Sequence, residues 1–507
     1  MSSTLVRGAL GSVLVSVGGL VGSAMPSTAR VLRLPLLIVL RDSETGRMAA
    51  LAVVLLGLAL LAQAWLRLLR EVTSAATGDR TALVDRVRLA ALAWTSPLLL
   101  APPLFSRDGW SYAAQGMLQH WGISPYRHGP WLLDGPIVDA VDPRWLHTPT
   151  PYGPVPLALG GAISGITGNP WILVIGYRVL ALVGLGLLAW AVPRLATWAG
   201  RDPAFASALV LASPFMVANG VAGLHNDLLM AGLMAAALVV GVERGWVWGA
   251  VLGGLAAAVK APGGLVCVAI ALVSLPVAAS LVVRFRRLAA VAAVSLGTLF
   301  GLGVVAGTGS GWIGALSVPG TINTPLSLAT LGGGTLDWIA GVLHLGLAPA
   351  TMLGLVRGGA TMLMFVVVGA MALRRPSGDR GAAVATAAGI LGVLVLTSPV
   401  VHLWYLLWVL PFVACLRLSR AALSGLVAAS VVGGLVAPMD SSLHGAYYAI
   451  VLGSVLIAVL AGLLLWTPLA RGRVEQIARR VGQAEARETD DAPSCSASIE
   501  ATAADQG

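Results

Sequence analysis

LFSRDGWSYAAQGM, residues 104–117, sets an arginine and an aspartate directly against the end of an apolar run. Charge is scarce in this chain, so the placement needs a reason. Of its 507 residues 57% are hydrophobic and 11% charged; a soluble globular domain carries about 25% charged residues. The deficit means that most of the surface faces lipid. Apolar runs of the ~20 residues needed to cross a hydrocarbon core recur along the chain. They do not show the short alternating segments of a membrane β-barrel. The chain therefore reads as an all-α polytopic membrane protein with about 14 transmembrane helices, the first near 8–26 and the last near 445–466.

The basic residues explain the orientation. With the N-terminus inside, 22 of the 32 basic residues fall in inner segments, which is the positive-inside pattern. An even span count then puts both termini in the cytoplasm. The net charge of +10 thus reflects topology, and nucleic acid is not expected as a partner. Lys260 is the single lysine; such arginine bias suggests a GC-rich genome and a bacterial plasma membrane. Arg30, Arg33, Arg41 and Arg47 lie on the nominally outer side, and VLRLPLLIVLR within that loop reads as an interfacial amphipathic piece. The first run, GALGSVLVSVGGLVGSAM, resembles a signal-peptide core, but its cleavage context is weak and it reads as a retained helix. Cys267, Cys415 and Cys495 form no zinc or disulfide pattern.

Residues 105–170 are the longest interruption between spans, and the orientation places them outside. They are rich in Pro, Gly, Trp and Tyr. Polar motifs in apolar surroundings gather on this same face: SRD (106–108), SPYRHGP (124–130), HTPTPYGP (147–154), GLHND (223–227), NTPLS (323–327) and SPVVHLWY (398–405). Each has a plain reading. Asp108 suits a helix boundary, and Arg107 could merely neutralise it. His225 and Asp227 suit a helix-terminal hydrogen-bond pair. Arg127 and Arg144 suit solvated loop charges. Tyr126, Trp145, Tyr152, Trp404 and Tyr405 suit an interfacial aromatic belt, with His402 ambiguous beside them. Lys260 suits snorkelling from a helix end. Arg178 does not fit so easily, because a cation within an apolar run is expensive and usually functional.

Glycosyl transfer from a lipid-phosphate donor uses such a layout. The phosphate sits at the interface and suits arginine, which offers paired planar donors. The acceptor hydroxyl needs a general base nearby, and a carboxylate at a span's outer end has the right depth. Asp108 is then the candidate catalytic base. Arg107, Arg127, Arg144, Arg178, His225, Asn226, Asp227 and Lys260 are candidates for the donor phosphate or sugar. Tyr126, Trp145, Tyr152, His402, Trp404 and Tyr405 are candidates for the acceptor or for sugar stacking.

SRDGWSYAAQG, ISPY, TPTPYGPV, GLHND, KAPGGL and HLWYLLWVLP occur in this order across roughly residues 85–420. The set resembles the actinobacterial polyprenol-phosphomannose-dependent α-1,6-mannopyranosyltransferases of the GT-C superfamily. The resemblance implies a GT-C fold with a large first catalytic outer loop. It also implies a polyprenyl-phosphate-mannose donor and a growing lipid-anchored mannan acceptor of the lipomannan or lipoarabinomannan type. Asp108 matches the family's loop aspartate. No metal or other cofactor is expected. GT-C cores usually place the catalytic loop after the first helix, so residues 1–83 read as an N-terminal addition of two spans. The core is then 84–466, with outer loop 105–170, and 467–507 is a cytoplasmic tail. The rival is a secondary transporter or flippase of lipid-linked sugars. It would hold paired charges at mid-membrane, where this sequence offers only Arg178.

Overall fold

The computed structural model describes residues 3–74 and 79–439, with scattered positions between 455 and 480. The described chain is built of helices and their connections. Among the described residues seven helices are long and apolar enough to cross a membrane: Ser3–Gly22, Glu44–Ser74, Pro170–Trp198, Asn226–Glu243, Leu281–Val305, Thr351–Arg374 and Arg380–Thr397. An eighth span results if Pro203–Leu211 and Met216–Ala222, bent by 55°, count as one broken crossing. This is a multi-pass membrane protein.

Several expected spans take another form. The 84–104 run is helical only over Arg80–Thr95 and a 3-10 turn at Ser96–Leu98. Pro97, Pro102 and Pro103 then deny it amide donors and helical backbone. The 246–260 and 262–283 runs become short helices, Trp246–Val259 and Val266–Val273, on either side of Lys260 and Pro262. The 403–417 run is a 3-10 turn, Leu403–Trp408, and a four-residue helix, Leu410–Val413. Irregular backbone at this depth is tolerated where protein rather than lipid surrounds it. The expected outer loop 105–170 is itself largely helical, with Asp108–His120 packed against Pro154–Ile166. Apart from the scattered positions between 455 and 480, the expected 445–466 span and the tail lie outside the described residues.

The centre of the protein is the Asn226–Glu243 helix, buried on nearly every side. Glycines let its neighbours come close. A Cβ on Gly232 would meet the Gly184 carbonyl oxygen at 2.3 Å, across the crossing with Pro170–Trp198. Such small-residue crossings are how apolar helices gain contact when lipid is as apolar as they are.

Two irregular stretches meet above this helix. The backbone N–H of Leu104 bonds the carbonyl of Ala222 at 2.9 Å. Phe105 and Leu224 both adopt left-handed backbone, with φ of 65° and 57°. Side chains other than glycine avoid that region, and such strain collects at functional sites. Between Met216 and Ala222 the chain forms a π-turn, a feature frequent at functional sites. Each strained residue leads directly into a polar motif and a helix N-terminus: SRD before Asp108–His120, and HND before Asn226–Glu243.

Arg178 holds this junction together. It is 1% exposed, and its guanidinium donates to the carbonyls of Val221, Ala101 (2.9 Å) and Pro102 (3.2 Å). These are backbone acceptors that the broken helices leave without partners, so the buried cation is spent on backbone.

Candidate active site

Asp108 opens its helix and is 7% exposed. Its own N–H bonds Ser106 Oγ at 3.1 Å. Tyr112, one turn on and so on the same helix face, donates its hydroxyl to Asp108 Oδ2 at 3.3 Å and lies 3.0 Å from the Tyr152 hydroxyl. His225 Nδ1 stands 3.4 Å from Oδ2, at the outer edge of hydrogen-bond reach. Burial alone would raise the Asp108 carboxyl. The facing His225, with the Lys260 charge beyond it, outweighs that and holds it below the ordinary carboxylate value. The positive end of the helix dipole acts in the same sense.

His225 does not stand free. Its ring stacks on Trp404 at 3.8 Å between centroids, and Trp404 stacks on His402 at 4.4 Å. Both faces of Trp404 are therefore covered. Burial lowers His402 to about 4, so it is neutral at physiological pH. Behind this stack, Asp227 Oδ1 accepts from Lys260 Nζ at 2.8 Å and from Trp408 Nε1 at 2.7 Å. Lys260 lies over the rings of Tyr405, Trp408 and Tyr152 at 4.3, 5.1 and 5.3 Å, a cation–π cage. It is 6% exposed, so the expected snorkelling gives way to a buried ion pair. Asn226 Nδ2 and Asp227 Oδ2 are buried without a hydrogen-bond partner among the described residues. Unmatched buried polar atoms of this kind call for a ligand or water.

Several of these groups line a narrow pocket whose wall includes Asp108, Tyr112, Gln115, Trp145, Tyr152, Lys260, His402 and Tyr405. Trp145 is half-buried on this wall, whereas one face of Tyr405 is taken by Trp408 at 4.2 Å. Trp145 thus offers a ring for sugar stacking, and Trp404 and Tyr405 are committed to protein. Lys260 and Asp227 offset each other, which leaves Asp108 as the carboxylate on the pocket wall without a lysine or arginine partner.

The arginines are placed differently from the sequence reading. Arg107 lines a separate cavity with Arg41, Asp42 and Asp139, so it and Asp108 point into different spaces. Arg127 is exposed. Arg144 grips Asp142 through two bonds of 2.9 and 2.7 Å and lines a second cavity, of about 220 Å³, beyond the His225–Trp404–His402 stack. Burial would raise Asp142, but Arg144 holds its carboxyl below the usual range. Arg178 is the backbone staple already described. Tyr126 packs against Gly311, where a Cβ would meet its ring at 2.3 Å.

Some residues of the site carried no flag in the sequence. Tyr112 and Gln115 lie inside the SRDGWSYAAQG motif, one and two turns after Asp108, and Thr150 bonds Gln115 at 2.9 Å. Helical spacing from Asp108 was the available signal for Tyr112. Trp408 lies within HLWYLLW, where nothing separates it from the belt aromatics around it.

A family model described as alpha-(1->6)-mannopyranosyltransferase, N-terminal domain, matches residues 5–276, and one described as MptB C-terminal domain matches residues 329–467. A probable alpha-(1->6)-mannopyranosyltransferase of Mycolicibacterium smegmatis is 30% identical, over 92% of this chain and 88% of its own length. Alpha-(1->6)-mannopyranosyltransferase A of Mycobacterium tuberculosis is 32% identical, over 87% and 85%. Alpha-(1->6)-mannopyranosyltransferase B of Corynebacterium glutamicum is 30% identical, over 79% and 71%. No solved structure matches the chain. With both halves of the chain covered by these models and relatives, the protein belongs to the alpha-(1->6)-mannopyranosyltransferase family.

Proposed function

We propose that this protein is an inverting α-1,6-mannosyltransferase that moves mannose from polyprenyl-phosphate-mannose to a growing lipid-anchored mannan on the outer face of the plasma membrane. The observation that carries the reading is Asp108: a buried carboxylate at a helix N-terminus, held below its ordinary pKa, on the wall of a pocket lined by aromatic side chains. In this reading an acceptor hydroxyl lies against Asp108 and gives it its proton. The acceptor oxygen bonds the anomeric carbon from the face opposite the phosphate. The bond from that carbon to the phosphate oxygen breaks, and its electron pair leaves with polyprenyl phosphate. Attack from the opposite face inverts the centre, as in carboxylate-assisted glycoside hydrolysis.

His225 and Tyr112 fix the carboxylate, the work of groups that preorganise a base. Asp227, behind the wall, holds Lys260 in place at the pocket. Trp145 suits the flat face of an acceptor ring. No step in this reading uses a metal. Arginine counting supports the outer face, since Asp108 lies in a segment away from the inner arginine clusters.

The test is purified protein in lipid, given labelled polyprenyl-phosphate-mannose and short α-1,6-mannosides. Transfer by the wild type that disappears in Asp108→Asn, with folding unchanged, is the expected result. Wild-type turnover by a folded Asp108→Asn protein overturns the base assignment. Donor carried across the bilayer without transfer favours a flippase.

A further inference from the structure

The NTPLS motif (323–327) has no part in the chemistry above, and its contacts show what it ties together. Thr324 Oγ1 accepts from the Val401 N–H at 2.9 Å, and Ser327 Oγ donates to the Ser398 carbonyl at 2.7 Å. One side of this seam supplies Val318, Pro319 and Ile322 to the pocket wall, and the other supplies Val400 and His402. Arg357, near the start of the Thr351–Arg374 helix, sits at the seam. Its Nε donates to Thr330 Oγ1 at 3.0 Å, its Nη1 to the Gly320 carbonyl at 2.9 Å, and its Nη2 to the Ile322 carbonyl at 2.8 Å, Asn323 Oδ1 at 2.7 Å, Thr330 Oγ1 at 2.8 Å and, more distantly, the Pro399 carbonyl at 3.4 Å. All of these partners are neutral. Among the described residues no carboxylate lies within ion-pair distance of this guanidinium.

That sets Arg357 apart from Lys260, Arg144, Arg178 and Arg107. Lys260 is balanced by Asp227 and Arg144 by Asp142. Arg178 is spent on buried carbonyls, and Arg107 faces another cavity. A phosphodiester carries one negative charge, and Asp108 has already given the pocket one. Like charges at such range repel unless a cation stands by. Arg357 touches the backbone of Ile322, a wall residue. One N–H of its Nη1 remains beyond the bond to Gly320, since a guanidinium carries five donors.

We propose that Arg357 is the ligand of the donor's phosphodiester at the rim of the pocket, an assignment that rests on the lipid-phosphate donor of the mannosyl-transfer reading. The guanidinium supplies the missing positive charge, and it meets the charge that grows on the phosphate as the anomeric bond breaks. The carbonyls of the seam hold the cation in place before the donor arrives, so the donor's head group meets a fixed fork.

The experiment compares wild type, Arg357→Gln and Arg357→Lys in lipid nanodiscs, with labelled polyprenyl-phosphate-mannose and a short α-1,6-mannoside. Polyprenyl phosphate and inorganic phosphate serve as competitors. Arg357→Gln is expected to raise the donor KM by roughly ten- to hundredfold, the worth of one charge-assisted hydrogen bond, with the acceptor KM unchanged. Arg357→Lys recovers part of that loss. Polyprenyl phosphate competes with the donor in the wild type and only weakly in Arg357→Gln, and inorganic phosphate does not compete. Equal rises in both KM values, or a lower Tm with an unchanged donor KM, make Arg357 a clamp of the seam alone and overturn the proposal. Equal competition by inorganic phosphate assigns the site to a free anion and overturns it as well. Wild type that binds polyprenyl phosphate but transfers no mannose overturns the transfer reading and leaves the phosphate site standing.

Discussion

Arg178 and Asp108 are both charges in apolar surroundings, and they have opposite fates. Arg178 is enclosed: its fork is answered by three backbone carbonyls where broken helices meet. Asp108 is buried nearly as deeply, yet its neighbours leave it facing a pocket. In lipid a broken helix exposes unpaired carbonyls, each costly, and Arg178 answers that cost. Asp108 sits on the break itself, beside the left-handed Phe105. One region spends charge on keeping an irregular backbone in place; the other uses the irregular backbone to aim a charge. A charge in a membrane protein becomes a candidate for chemistry when something other than protein remains in front of it.

The sharpest way to break this contrast is Asp108→Asn. It is expected to lower the rate of transfer by about 10²- to 10⁴-fold, the usual range for loss of a positioned acid or base, with Tm nearly unchanged. Rate and melting curve are measured on one preparation, and a large fall in Tm with the rate kept reverses the assignment. Next is Lys260→Met. It strands Asp227 as a buried, unpaired carboxylate, which costs about 3–5 kcal/mol and reads out as lost folded protein. Adding Asp227→Asn is expected to restore much of that stability; no recovery in the double variant removes the ion pair from the account.

Arg178→Met follows, with a loss of about 1–3 kcal/mol for each carbonyl left unsatisfied, partly offset by local relaxation. Its folded yield is expected to fall further than the turnover of the protein that does fold. The reverse pattern would return Arg178 to the donor site. The pH profile is a finer probe. Asp108 lies below its ordinary value, so it is ionised above that pKa and becomes a poor base only as the pH falls through it. The acid limb of kcat/KM is therefore expected below the ordinary carboxylate range. The stability that Asp108 contributes is present above its unfolded pKa and is lost over the same fall. An acid limb near pH 6 would contradict both. The smallest effect belongs to Trp145→Ala, with loss of ring stacking worth about 0.5–1.5 kcal/mol and a rise of severalfold in acceptor KM. Donor KM moving instead would place the donor sugar against Trp145.

The legible part of the site was its motifs. SRDGWSY, GLHND and HLWY stand out because polar side chains in apolar runs are expensive and few. Partnership was not legible. Asp227 meets Trp408 from 181 residues away in sequence and Lys260 from 33, and no local pattern encodes such distances. Lys260 looked like a snorkelling end residue because sequence shows a helix terminus and not the aromatic cage around it. Arg357 attracted no notice inside its apolar run, since what distinguishes it is that its partners among the described residues, all in other segments, are neutral. Span counting fared unevenly for a related reason: hydropathy measures the length of an apolar run. It cannot tell a run that crosses lipid from one such as 403–417, whose turns are packed among neighbouring helices.

The sequence by itself determined that this is a helical membrane protein and where its few polar motifs lie, because transfer of residues into lipid is a local property that sums along the chain. Tertiary structure alone decided which charges are answered by protein and which face a pocket. Those outcomes depend on helix crossings, broken turns and contacts between distant segments, and burial changes the cost of a charge far more than its neighbours in sequence do.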